Sequence, residues 1–212
     1  MRKLIATIAM TFIATTATAA SNQSEIGNPK DICFSKVCEK TATVQKMPKA
    51  TNNDRAYLEV GNFDLTFKLF KKPSRLLTSG GVTIGKYSQN EAVAYFTSDD
   101  VEKAREGLEY AFTIPVSKAK EGDKNITAAY NQKAQLGISI VKNQADNADI
   151  FFFKDASWTV AGGSVELSTG KHNAMIFAAH QARNNQILVI RLMGVSKKDL
   201  DKTIRSLKRI EI

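Results

Sequence analysis

Alternating apolar and polar residues predict the first strands of the chain. Residues 63–69, FDLTFKL, place an apolar side chain at every second position, which is the period of a strand with one buried face. Residues 82–87 and 91–96 have the composition of two further strands, and only three polar residues separate them. This spacing predicts that the two strands pair as an antiparallel hairpin.

The second half of the chain predicts more strands. Apolar and β-branched residues concentrate in the stretches 136–141, 149–153, 158–167, 174–181 and 186–193. The turn-forming residues Arg183, Asn184 and Asn185 separate the last two stretches and predict a second hairpin. Gly162 and Gly163 interrupt the third stretch, where they predict a bulge or a turn.

A helix in the middle of the chain is predicted from its first residues. Asp99 can cap its N-terminus, Glu102 lies three residues later in the capping-box position, and Pro115 ends the helix. The following stretch, 117–135, is rich in Lys, Ala, Gly and Asn. Its pattern predicts a loop with a short helix around residues 128–133.

The last helix has the clearest signals. Ser196 is placed to cap it with Asp199 at the third position, and Val195 with Leu200 forms a hydrophobic staple. Strands joined by short polar turns, with one helix between them and one at the end, predict an α+β fold with a mainly antiparallel sheet. We assign this fold to a single domain over residues 56–212.

The N-terminal residues have the pattern of a secretory signal peptide. Arg2 and Lys3 precede an uncharged, largely apolar run, and small residues offer an A-x-A cleavage site after Ala19. The run is about half of the roughly 20 residues that a membrane-spanning helix needs. We therefore expect residues 1–19 to be removed, leaving a periplasmic or secreted chain without a transmembrane anchor; a buried N-terminal helix is the alternative.

Residues 20–55 are polar and lack a sustained period, which predicts an extended arm. The arm contains both cysteines of the chain, Cys33 and Cys38. In an oxidising compartment, a close pair most simply forms one disulfide, which loop entropy makes worth about 2 kcal/mol. A redox-active pair and a free or intermolecular pair are the alternatives, although the spacing is not the C-x-x-C of an oxidoreductase.

The charge of the chain favours anionic partners. Its net charge is +9, and removing residues 1–19, with two basic and no acidic residues, lowers it to +7. Outside the cytoplasm, such a surplus favours acidic proteins, acidic polymers or lipid head groups rather than nucleic acid.

Basic side chains also recur on one side of the final helix. At 100° per residue, four of them fall together, opposite the apolar stripe of Leu200, Ile204 and Leu207: Lys198, Lys202, Arg205 and Arg209. This basic ridge is predicted to contact an acidic protein or an anionic envelope component, and Lys46 and Lys49 of the arm could extend it. An ordinary solvated helix face is the alternative.

Three short motifs resemble enzyme signatures, but their surroundings do not fit. Residues 80–86 match G-x-x-x-x-G-K, yet Tyr87 stands where a phosphate loop needs a magnesium-binding hydroxyl. Residues 139–142 match S-x-x-K, a motif that needs Ser and Lys on one helical face. Their pattern predicts a strand, on which residues three apart face opposite sides. Ser164 lacks the glycine that a nucleophile elbow requires. We therefore predict no catalytic residue from these motifs.

The remaining candidates are two histidines and three phenylalanines. His172 and His180 would lie about 26 Å apart on one extended strand, too far to share a metal, so we predict no metal site and no cofactor. Residues 151–153, three consecutive phenylalanines, are expected mainly in the core. At least one of them must lie on the second face of its strand, where a helix or a partner would cover it.

These observations leave three hypotheses about function. The sequence favours an exported, non-enzymatic binding protein, such as an inhibitor or immunity-type protein, that recognises an acidic protein or an anionic envelope component. A periplasmic hydrolase is the second hypothesis, with a site assembled from distant residues around His172 or His180. The third is an envelope-associated structural protein held by the basic ridge and the arm.

Overall fold

The computed structural model describes residues 28–33, 35–51, 56–62, 64–98, 101–139 and 147–209. The helices in these ranges are α1 (Pro29–Ile32), α2 (Ala104–Thr113), α3 (Lys124–Ser139) and α4 (Lys197–Arg205). Short 3-10 turns cover Lys36–Cys38, Val116–Lys118 and Gln181–Arg183. The predicted signal peptide, residues 1–19, lies outside the described residues.

Strands form two sheets within the described ranges. Their bounds are β1 (Gln45–Lys46), β2 (Leu58–Asn62), β3 (Leu65–Leu69), β4 (Arg75–Ser79), β5 (Val82–Ser88), β6 (Glu91–Ser98), β7 (Asp149–Lys154), β8 (Trp158–Glu166), β9 (His172–His180), β10 (Ile187–Val195) and β11 (Lys208–Arg209). The large sheet has the order β1-β7-β8-β9-β10-β6-β5-β4, and the small sheet has the order β11-β3-β2. Because β1 and β7 are parallel and the other pairs are antiparallel, the fold is α+β with a mostly antiparallel sheet, as predicted.

Both predicted hairpins are present. Strands β5 and β6 pair antiparallel, and Lys86 lies opposite Ala92 within that ladder. The G-x-x-x-x-G-K motif is therefore a turn at Gly80 and Gly81, both with positive φ, that leads into a strand. Strands β9 and β10 form the second hairpin, with Ile190 opposite Ile176.

Gly162 and Gly163 do not form the predicted bulge. Strand β8 keeps regular pairing through both residues, with Phe151 opposite Gly162 on β7 and Ile176 opposite it on β9. A Cβ on Gly162 would lie 2.2 Å from the Met175 carbonyl oxygen and 2.6 Å from Phe151 Cζ. The glycine therefore makes room for a neighbouring strand and a ring, rather than for a turn.

Each face of the large sheet has its own core. On one face, which we call the helix side, Phe152, Phe177 and Val189 pack together with residues of α2 and α3. On the other, the α4 side, Ile176 and Ile190 pack under the small sheet and α4. The molecule thus has three layers, with the large sheet in the middle.

The disulfide predicted between Cys33 and Cys38 is formed, and both residues are buried in the helix-side core. The segment around them contains α1 and a 3-10 turn, and α3 contacts both. This part of the predicted arm therefore carries helical turns and contributes to the helix-side layer.

The strand predicted over residues 136–141 is wrong where the structure describes it. Leu136 and Ser139 belong to α3, and residues 140 and 141 lie outside the described ranges. The inward side of α3 has helical spacing: Ile126, Ala129, Tyr130, Lys133 and Leu136 are all buried. Because a lysine occupies one of these inward positions, the apolar period of the helix is broken in the sequence.

The start of α2 also differs from the prediction. The helix begins at Ala104 after Lys103, which has a left-handed φ of 52°, and Glu102 precedes it. The Asn184 side-chain oxygen accepts a hydrogen bond from the Arg105 N–H at 2.8 Å, and its carbonyl accepts from the Ala104 N–H. A residue of the β9–β10 hairpin thus caps α2, while the predicted cap, Asp99, lies outside the described residues.

Candidate functional site

Helix α4 begins as its sequence predicts. The Ser196 hydroxyl accepts a hydrogen bond from the Asp199 N–H at 3.1 Å, and Leu200 and Ile204 are buried against the layer below. The opposite side of the helix faces outward, where Lys197 forms an ion pair with Asp201 at 3.2 Å. The helix therefore separates an apolar inner side from a charged outer side.

Three of the four residues of the predicted basic ridge lie on this helix. Lys198 is exposed, whereas Lys202 and Arg205 are half-buried. The Lys202 ammonium lies 5.0 Å from the centroid of the Phe70 ring, a cation–π arrangement. The ridge as the structure has it is defined by Lys198, Lys202 and Arg205, and we call it the α4 basic surface.

Arg209 does not belong to that helical surface. Helix α4 ends at Arg205, Ser206 caps it, and Arg209 follows in β11 opposite Leu65 of β3. The prediction extended the helix by one turn too many, because Leu207 continues the apolar period after the backbone has turned. Of the arm lysines, Lys46 lies in β1, beside Lys154 of β7 at the edge of the large sheet.

A cleft adjoins the N-terminal end of α4. Its apolar walls include Phe67, Leu192 and Val195, and its polar side contains Lys71, Glu91 and Asp199. The Lys71 ammonium donates to the Glu91 carboxylate and lies 3.1 Å from the Asp199 carboxylate. One cation from the loop after β3 thus joins a carboxylate of β6 to a carboxylate of α4.

The electrostatics of this ion cluster favour its charged forms. Burial opposes the ionisation of Asp199, but hydrogen bonds with Ser196 and Lys71 outweigh it and hold the pKa of Asp199 below its ordinary value. Burial likewise opposes the charge on Lys71, but Glu91 and Asp199 raise the pKa of its ammonium. Burial, Glu91 and Asp199 raise the pKa of Tyr87, which lines the cleft as a neutral phenol. The cluster therefore anchors the start of α4 to the sheet.

A separate charge, fully buried, lies on the helix side. Lys133 has no exposed surface, and its ammonium donates to the carbonyl oxygens of Cys38, Lys40 and Ala111 at 3.1, 2.6 and 2.7 Å. Its ammonium also lies 5.5 Å from the centroid of the Phe112 ring. Burial lowers the pKa of Lys133 to about 8. All three ammonium protons are used to join the disulfide segment to α2 and α3.

The sequence alone missed both charged clusters. Lys71, Glu91 and Asp199 are far apart in the chain, and Asp199 already had a role as a helix-capping residue. Lys133 lies in the stretch 117–135, which carried no assignment beyond a loop and a short helix. A buried lysine on the inward side of a helix leaves no motif, so only the fold brings these groups together.

The residues singled out as possible enzyme groups are dispersed. His172 and His180 lie at opposite ends of β9, as the predicted strand required. The His180 Nδ1 accepts a hydrogen bond from the Ala182 N–H at 3.1 Å, and its ring packs edge-on against Trp158. Ser139 is the last residue of α3 rather than a strand residue, and Lys142 lies outside the described ranges.

The phenylalanine run divides between the two faces of the sheet. Phe152 is fully buried on the helix side, whereas Phe151 and Phe153 lie half-buried on the α4 side with ring centroids 5.8 Å apart. Met47 packs at the margin of the same core. The second-face phenylalanines thus join the α4-side core.

Over the ranges that the structure describes, no group of three or more His, Cys, Asp or Glu side chains is placed to hold a metal ion. None of the helices in those ranges is long and apolar enough to cross a membrane. The chain matches no protein-family model and no curated protein.

Proposed function

We propose that this chain is an exported, non-enzymatic binding protein that recognises an acidic protein or an anionic envelope component, as an inhibitor or immunity-type protein does. The α4 basic surface is the proposed contact. Export rests on the signal-peptide pattern of residues 1–19, and the Cys33–Cys38 disulfide suits an oxidising compartment.

The observation that carries the proposal is the charge balance of the chain from the start of α4 to β11. Residues 197–209 contain six Lys or Arg and two Asp. Both acids are already paired, Asp199 with Lys71 and Asp201 with Lys197. Positive charge therefore exceeds negative charge over residues 197–209, even with Lys208 paired to Glu59 of β2, and Lys198 presents it to solvent.

Physical chemistry favours recognition by attraction at this surface. A cluster of like charges steers an oppositely charged partner and speeds its association, and salt weakens the effect. Lys202, held over the half-buried Phe70 ring, offers a cation beside an aromatic side chain, which suits a protein surface with carboxylates around an apolar centre.

The test is capture from an envelope extract by the tagged protein, at about 50 mM and about 500 mM salt, where the Debye length falls severalfold. We expect an acidic partner that is retained at low salt and lost at high salt. Lys198→Gln combined with Lys202→Gln removes two charges and keeps much of both side-chain stems. It should weaken capture about tenfold, which equals about 1.4 kcal/mol.

The matched control is Lys118→Gln combined with Lys120→Gln. Both lysines are exposed: Lys118 ends the 3-10 turn that follows α2, and Lys120 lies two residues later. The control removes the same charge elsewhere, so it should retain wild-type capture. Equal capture by the two double variants, or capture that salt does not affect, would contradict the proposed contact.

A further inference from the structure

Strand β4 is the outermost strand of the large sheet at the end away from β1. Among the described residues it pairs with β5 alone, and all five of its residues are exposed. Leu76 and Leu77 are 48% and 61% exposed, and adjacent strand residues face opposite sides of the sheet. The edge thus presents a backbone ready for pairing together with an apolar side chain on each face.

Helix-side residues near this edge are apolar and cationic. Helices α2 and α3 pack over β7, β8 and β9. Beyond them, one row of residues crosses the sheet from the edge inward: Leu77, Ile84, Ala94 and Arg191. In the neighbouring row, Arg75 of β4 lies directly opposite Lys86 of β5, and both are exposed.

On the helix-side face, the charged residues of β4, β5, β6 and β10 have one sign. Two like charges directly opposite each other on paired strands are unfavourable. The strands β4, β5, β6 and β10 contain one acidic residue, Glu91, and it is bound to Lys71 in the cleft on the α4 side. Arg75 and Lys86 therefore share the helix-side face with no acid from these four strands.

We propose that β4 is a docking edge for an acidic, extended segment of a partner protein. The segment pairs its backbone with β4, its apolar side chains cover Leu77, and its carboxylates lie between Arg75 and Lys86. Addition of a strand draws affinity from main-chain hydrogen bonds and specificity from alternating side chains. An acidic segment also relieves the repulsion between the two facing cations.

The observations favour this occupant over two others. A lipid head group would use the cations but not the open backbone edge of β4. The β4 strand of a second copy would use the edge, but it would bring another Arg75 and contains no carboxylate. This edge is distinct from the α4 basic surface, which covers the other face of the sheet, so each can be tested separately.

The probe is a labelled peptide with four Glu-Val repeats, and binding is measured by fluorescence anisotropy with the full chain. Arg75→Glu combined with Lys86→Glu keeps a like-charged pair, so the fold bears a similar repulsion while the recognised sign is reversed. We expect this variant to bind the probe at least tenfold more weakly and to gain binding of a Lys-Val repeat peptide. Circular dichroism confirms that it is folded.

Two controls complete the design. Lys118→Glu combined with Lys120→Glu changes the charge equally, at exposed residues far from β4, and should bind the probe as wild type does. A copy of the probe with every backbone amide methylated keeps its carboxylates but cannot pair, so it should not bind.

Several results would overturn the proposal. One is a wild-type dissociation constant weaker than about 1 mM for the Glu-Val peptide. Another is equal binding of the methylated copy. Phosphatidylglycerol vesicles that bind the wild type in preference to the peptide would assign the face to lipid. A wild-type dimer in sedimentation velocity that Leu77→Lys dissociates would assign the edge to a second copy.

Discussion

The two outer layers of this protein are held to the same sheet in different ways. On the α4 side, the helix is fixed by neighbours in sequence: Ser196 caps it, and Leu200 and Ile204 recur at helical spacing. On the helix side, Lys133 joins carbonyls from two other segments, and the Cys33–Cys38 disulfide lies buried beside α3. Residues close in sequence fix the α4 side, whereas contacts between residues distant in sequence fix the helix side.

This difference predicts unequal sensitivity to mutation. A helix cap contributes about 1 kcal/mol, because water can replace much of its hydrogen bonding. A buried ammonium with three carbonyl partners leaves all three unsatisfied when it is removed, and each is shielded from water. Damage to the helix side should therefore cost more than damage to the start of α4.

The largest effect is expected from Lys133→Met. The substitution keeps most of the side-chain volume but leaves the carbonyls of Cys38, Lys40 and Ala111 without a donor, so we expect a loss of about 3 kcal/mol at pH 7. Urea unfolding followed by circular dichroism measures it. Lys124→Met on the same helix, whose ion pair with Glu102 is exposed, should change stability by less than about 0.5 kcal/mol.

The stability difference between wild type and Lys133→Met should also depend on pH. Burial lowers the pKa of Lys133 to about 8, so between pH 8 and the ordinary lysine value the unfolded chain binds a proton that the folded chain does not. Stability therefore rises with pH in that window. The stability gap between wild type and Lys133→Met should widen by about 2 kcal/mol from pH 8 to pH 10. Parallel pH profiles would show that the buried amine does not titrate there.

A smaller effect is expected from replacing both cysteines by alanine. Loss of the short covalent loop should lower the free energy of unfolding by about 2 kcal/mol. Because Lys133 and the disulfide hold the same segment, the cysteine changes should cost less in the Lys133→Met background than in wild type. If the losses of unfolding free energy add in the triple variant, the disulfide and Lys133 stabilise the segment independently.

The smallest effect is expected on the α4 side. Ser196→Ala removes the cap and a hydrogen bond to the Asp199 carboxylate, and should lower the free energy of unfolding by about 1 kcal/mol. Ser88→Ala, at the exposed end of β5, should lower it by less than about 0.5 kcal/mol; urea unfolding measures both.

The Asp199 carboxylate also makes stability depend on acid pH. The pKa of Asp199 lies below its ordinary value in the folded protein, so its contribution to stability is present above that ordinary value and is lost as pH falls through the folded-state pKa. Asp199→Asn should flatten this acid-side loss, and a loss equal to wild type would contradict it.

What the sequence could predict follows the same division between local and distant contacts. The β5–β6 hairpin and the Ser196 cap were predicted because a short turn and a capping residue act on their own neighbours. Helix α3 was predicted only as a short helix around residues 128–133, because Lys133 occupies an inward position, where a charged residue is normally taken as solvated. Arg209 was placed on the wrong element because the apolar period at Leu207 continues after the helix has ended.

The candidate sites divide in the same way. Three of the four residues of the predicted ridge lie on α4, because helical spacing is a local property, and their role as a contact stays a prediction. The Lys71, Glu91 and Asp199 cluster and the β4 edge could not be predicted, because no spacing in the chain indicates which strand lies outermost or which loop meets α4.

The buried ammonium of Lys133 also constrains the order in which the molecule assembles. The carbonyl of Cys38 and the side chain that binds it are 95 residues apart in the chain. A chain is synthesised from its N-terminus, so this backbone emerges long before its partner exists. Contacts at such separation form slowly, because a long loop must close first. The disulfide segment should therefore gain protection from hydrogen exchange only in the last phase of folding, together with α3.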